Sequence, residues 1–132
     1  MTIDSSVSEY NQKLDDPERV VAEKLLNLFL DQLPEAEAKV WHGHPVWFIG
    51  ANPVAGYNLK KSGIEVLFWS GQSFKTDGLR PVGKFQAAVA SVSTLQQADA
   101  LPLRSWLDEA RAIQWDYANL AKVRTLNNLT DF

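Results

Sequence analysis

The sequence predicts an α+β fold with an N-terminal helix, a five-stranded, mainly antiparallel sheet and C-terminal helices packed on that sheet. Three patterns predict it. Apolar residues recur at helical spacing across 16–33, short β-branched and aromatic runs fill 38–92, and helical spacing returns from Leu103 onward. The strand runs are joined by connections too short for parallel crossovers, which take about a dozen residues, so neighbours run antiparallel.

The first 14 residues are polar and unpatterned and are expected to fray. Residues 15–132 are expected to form one domain, because the chain has no internal repeat and no Gly/Ser linker. Asp16 suits a helix N-cap, Pro17 the first helical position and Glu18 the positive helix end. Val21, Leu25, Leu28 and Phe29 then form an apolar stripe, widened by Leu26, Leu30 and Leu33, and Pro34 ends it. Strand runs follow at 40–42, 46–49, 54–60, 64–70 and 85–92, with turn residues at Gly43, Pro45, Gly50, Pro53, Gly63 and Gly71. The stretch 71–84, with Gly71, Gly78, Pro81 and Gly83, is long for a connection and reads as a functional loop. Pro102 opens a second helical stripe of Leu103, Trp106, Leu107 and Ala110, with Asp99 as a possible cap. After a bend near Gln114, Tyr117, Leu120, Ala121 and Arg124 continue a helical pattern that Asn127 and Asn128 end.

In the run 64–70, Ile64, Val66 and Phe68 point one way while Glu65, Leu67 and Trp69 point the other. A sheet with one wet face alternates apolar with polar residues, and Leu67 and Trp69 break that alternation. The second face is therefore expected to be covered in part by the C-terminal helices, a ligand or a partner chain. The C-terminal stripe offers a matching surface, so those helices are expected there with Trp106 buried, while Val21, Leu25, Leu28 and Phe29 close the core.

Composition narrows the function. Hydrophobic residues make up 45% and charged ones 22%, a globular balance. The absence of cysteine removes disulfides, cysteine-ligated zinc, iron–sulfur clusters and thiol nucleophiles. A net charge of −3 argues against a general affinity for nucleic-acid phosphates. The charge is uneven, with nine acids against four bases in 1–40 and two against five in 41–97. The N-terminus has neither the basic nor the apolar region of a secretory signal, and no apolar stretch approaches the roughly 20 residues of a membrane span. A soluble cytoplasmic protein without nucleic-acid or membrane partners is expected, as a monomer or weak homodimer.

The segments Pro34 to Glu37, Trp41-His42-Gly43-His44-Pro45-Val46-Trp47-Phe48, Leu67-Phe68-Trp69-Ser70-Gly71, Gly83-Lys84-Phe85 and Ile113-Gln114-Trp115-Asp116-Tyr117 resemble the YdhG-like domain family of small bacterial proteins. The likeness spans about residues 18–120, with the Gly43-His44-Pro45 turn as its signature. It implies an α+β fold. A few relatives are described as frataxin-like iron chaperones, which implies iron delivery to acceptor proteins for cluster or haem synthesis. The family brings no catalytic residue set.

Two candidate sites follow from the residues. His42 and His44, at i and i+2 on a strand, share a face and could chelate one ion, with Glu35 or Glu37 completing the site for iron. The same histidines also read as a half-buried strand residue and a turn residue. The acids Asp15, Asp16, Glu18, Glu23 and Asp31 offer weak cation binding or a solvated helix face. The second candidate is a small-ligand or protein-docking face, with Trp47, Tyr57 and Trp69 as an apolar wall and Lys84 as the contact for a small anionic ligand. Catalysis is the minority reading, since no Gly-x-Ser-x-Gly and no paired carboxylates occur in the sheet region.

Overall fold

The computed structural model describes residues 2–3, 5–61, 63–83, 85–118 and 128–129. The chain runs β1 (Thr2–Ile3), α1 (Ser5–Gln12), α2 (Glu18–Gln32), β2 (Glu37–Trp41), β3 (His44–Ile49), β4 (Asn52–Lys60) and β5 (Gly63–Phe68). It continues through a 3-10 turn at Gly71–Ser73 into β6 (Arg80–Pro81), β7 (Ala88–Val92), α3 (Leu95–Ala100), α4 (Leu103–Ala112), β8 (Gln114–Trp115) and β9 (Asn128–Leu129). The expected α+β architecture is present. Its sheet runs β1-β2-β3-β4-β5-β7-β6, antiparallel throughout except that β1 lies parallel to β2. The strands beyond the expected five are the two-residue pieces β1 and β6, too short to leave a period in the sequence.

Residues 1–14 do not simply fray. Val7, Tyr10, Asn11 and Leu14 form an i, i+3, i+4, i+7 stripe, and Val7 and Asn11 are fully buried. The stripe looks polar because hydrogen bonds rather than apolar contacts dock much of it. The Tyr57 hydroxyl donates to Asn11 Oδ1 (2.7 Å), and Tyr10 donates to Asn58 Oδ1 (3.2 Å) while accepting from the Leu59 amide (2.9 Å). Ser6 Oγ accepts from the Val40 amide (2.9 Å), which satisfies a donor on the outer side of β2.

α2 begins two residues later than expected, with Pro17 at the N-cap and no side-chain cap. Asp16 instead pairs with Arg19 at 3.4 Å. β2 and β3 form a hairpin closed by the Trp41–His44 pair, with His42 (φ 53°) and Gly43 (φ 86°) as its two-residue loop. Positive φ at both loop positions is the type I′ geometry whose twist suits an antiparallel pair. The turn therefore falls before the expected Gly43-His44-Pro45, and His44 and Pro45 belong to β3.

All four described helices lie on one face of the sheet. Val21, Leu25 and Phe29 of α2 and Leu103, Trp106 and Leu107 of α4 share one core with Ala38, Trp47, Ala55, Tyr57, Ile64, Val66 and Phe68. Trp106 is fully buried as expected, edge-on to Phe68 with centroids 5.9 Å apart, and its Nε1 donates to the Thr76 carbonyl (3.1 Å). The expectation that the C-terminal helices cover the Leu67–Trp69 face is corrected: they sit beside α2 on the opposite one. The cause is width. Seven strands at about 4.8 Å spacing make a sheet about 29 Å across, and one helix covers about 10 Å of it.

The described chain leaves the helix at the end of α4. Ile113 is extended, and Gln114–Trp115 pair with Asn128–Leu129. Buried Asn52 holds this exit, donating to Gln114 Oε1 and the Trp115 carbonyl (both 3.0 Å) and accepting from the Ala118 amide (3.1 Å). Leu120, Ala121, Arg124 and Asn127, the rest of the expected helix, lie outside the described residues. Asp99 sits inside α3, whose N-cap is Thr94 accepting from the Gln97 amide at 3.1 Å.

Candidate functional site

Strand alternation builds the face opposite the helices. Glu37, Lys39 and Trp41 of β2, His44, Val46 and Phe48 of β3, Gly56, Asn58 and Lys60 of β4, and Glu65 and Leu67 of β5 share it by register, and Trp69 follows β5 onto it. The rings make a continuous strip. Trp41 meets Phe48 edge-on (centroids 5.4 Å apart) and lies 6.4 Å from Trp69, which stacks against His44 at 6.4 Å and 26°. Lys39 Nζ caps one end, 5.1 Å from the Phe48 ring centroid. Trp41, His44, Leu67 and Trp69 are all half-buried.

Gly56 makes this strip possible. A Cβ there would lie 2.6 Å from the Pro45 carbonyl oxygen, so the missing side chain lets β3 and β4 approach this closely beneath the Trp69 ring, which lies 3.5 Å from the same point. Burial holds the His44 imidazole below its ordinary pKa despite the Pro45 carbonyl 3.3 Å from Nδ1, and the positive charge of Lys60 and His42 adds to the lowering. His44 is thus a neutral ring at neutral pH, suited to stacking.

The expected site residues are scattered relative to this strip. Trp69 lies on it. Trp47 and Tyr57 face the helices and are fully buried, so they cannot line an accessible wall; burial also pushes the Tyr57 hydroxyl well above its usual pKa. Lys84 lies outside the described residues. For the metal reading, His42 is an exposed turn residue and His44 a strand residue. Glu37 stands at the opposite end of β2, about 13 Å of strand from Trp41. Glu35 is held by Arg111 at 2.7 Å, while Asp31 pairs with Arg104 at 2.9 Å. Among the described residues no three of His, Asp and Glu come together as a metal site. The 71–84 stretch is tied down rather than loose: Glu109 accepts from the Lys75 and Thr76 amides, and an open hollow of about 250 Å³ lies between Phe74, Asp77, Leu79 and Ala88.

Trp41, Phe48, Lys39 and Gly56 were not among the expected site residues. The signal for them was the His42-Gly43 pair: a two-residue loop fixes Trp41 opposite His44 and hence on the face of Phe48. No family model matches this chain, and neither a curated protein nor a solved structure matches it. No helix among the described residues is long and apolar enough to cross a membrane.

Proposed function

We propose that this protein is a cytoplasmic binding protein that takes its ligand on the outer sheet face, across Trp41, His44 and Trp69. The observation that carries the reading is the continuous strip of half-buried rings on the face opposite all four described helices. Large aromatic side chains that remain partly exposed in one contiguous patch are the usual material of binding surfaces. A chain without cysteine fits a reducing compartment. Iron delivery, which the YdhG-like resemblance implies, competes with this reading. Indole N–H resonances recorded against a metabolite panel, with and without anaerobic Fe(II), separate the two. Binding on the outer face moves the Trp41 and Trp69 signals and leaves Trp47 and Trp106 in place. Shifts caused by Fe(II) alone, centred on His42 and His44, would replace it with the iron reading.

A further inference from the structure

The charge around the strip narrows what it takes. On the helical side, bases are matched by acids: Arg19 with Asp16, Lys24 with Asp99, Arg104 with Asp31 and Arg111 with Glu35. On the outer face Arg80 pairs with Glu65 at 3.6 Å. Lys39 and Lys60, at the two ends of the strip, form no ion pair among the described residues, although by register Glu37 shares the face of Lys39 and Glu65 lies one pair along from Lys60. Lys60 shares the face of Gly56 and Asn58 by register and stands close enough to His44 to oppose its protonation. A strip of rings, Trp41 tilted 37° to Trp69, thus sits between two lysines that form no ion pair, in a protein whose net charge is −3.

Resting on the binding-face reading, we infer that the ligand is a planar aromatic anion, its ring stacked on Trp69 and Trp41 and its oxyanion met by Lys60. A ring on an indole face gains stacking that does not depend on its substituents, and Lys60 selects for the negative charge. Neutral His44 extends the platform without adding a competing charge. Carboxylate and phosphate satisfy this geometry equally, so the probes must separate them.

The test titrates the full chain with indole-3-carboxylate and with adenosine monophosphate, each against its neutral counterpart, indole-3-methanol and adenosine, followed by calorimetry and by the indole N–H resonances. At least one anion binds about fivefold or more tighter than its neutral partner, moves the Trp69 and Trp41 signals, and weakens as salt is raised. The anion that does so names the source of the charge. Lys60→Glu, an exposed change that leaves the core untouched, abolishes the anion preference. Trp69→Ala weakens binding by roughly five- to a hundredfold. Equal binding of anion and neutral partner, or binding by none of the four, overturns the anion assignment and leaves the binding face to the metabolite panel. Anion-induced shifts at Trp47 or Trp106 instead of Trp69 overturn both. Trp69 signals that move with protein concentration and not with the probes would assign the face to a second copy of the chain.

Discussion

The two faces of this sheet are made from alternate residues of the same strands, yet they treat the same residue types in opposite ways. Facing the helices, Trp47 is fully buried and stands edge-on to Phe29 at 4.8 Å, with Tyr57 completing the cluster at 6.0 Å from Phe29. Facing out, Trp41 and Trp69 lie low over the strands and keep part of each ring accessible. The inner face even tolerates a buried Trp47 Nε1 with no hydrogen-bond partner among the described residues, a cost accepted only where packing gains are large. Charge follows a similar division, with four of the ion pairs on the helices while Lys39 and Lys60 of the outer face form none among the described residues. Tryptophan in this sheet therefore serves two purposes, and strand parity separates inward Trp47 from outward Trp41 and Trp69.

The contrast is broken most directly by paired truncations. Trp106→Ala removes a fully buried ring, its contact with Phe68 and its bond to the Thr76 carbonyl. It should cost about 3–5 kcal/mol in a urea melt, a large share of the 5–15 kcal/mol typical of such a domain. Trp69→Ala, on the half-buried outer face, should cost about 1–2 kcal/mol, because part of its area is already in water. Equal losses would mean that the outer ring is as deeply packed as the inner one, and the binding face would lose its basis.

Gly56→Ala sharpens the comparison by touching only the outer surface. The new methyl would meet the Pro45 carbonyl oxygen at 2.6 Å and force β3 and β4 apart beneath the Trp69 indole. Displacing backbone at this spacing should cost about 1–3 kcal/mol and shift the Trp69 fluorescence toward that of an indole in water. An unchanged melt with unchanged emission would show that the indole does not lie on β4.

These differences mark what was legible beforehand. α2 and α4 were readable because each carries an apolar stripe bounded by a proline, Pro34 after α2 and Pro102 before α4, and β5 showed its two faces through simple alternation. The stripe of α4 did not say which side of the sheet it covers, since amphipathicity reports a buried face and not its partner. α1 was hidden because its docking side carries Tyr10 and Asn11, whose partners on β4 are more than forty residues away. The site was half legible for a related reason. Trp69 and Leu67 stood out as apolar residues on the face of Glu65, but placing Trp47 and Tyr57 beside them needed the cross-strand register. That register pairs Tyr57 with Val66 and Trp47 with Ala55, both turned toward the helices.

The smallest effect tests the outer face without disturbing the core. Burial pushes Tyr57 on the inner face and His44 on the outer face toward their neutral forms, Tyr57 by raising its pKa and His44 by lowering it. The folded protein therefore binds a proton at His44 less readily than the unfolded chain, whose histidine titrates near 6.5. Between the folded pKa and about 6.5 the unfolded state holds more protons, so the His44 contribution is fully present above that window and is lost as pH falls through it. An NMR titration of the His44 ring should give a midpoint below 6.5. The Lys60→Ala variant should move it upward, because the lysine charge is one of the groups opposing protonation. A midpoint above 6.5 would mean that the imidazole is well solvated or sits beside an acid. Stacked on Trp69 with Lys60 nearby it is neither, and the strip would then have to be drawn without it.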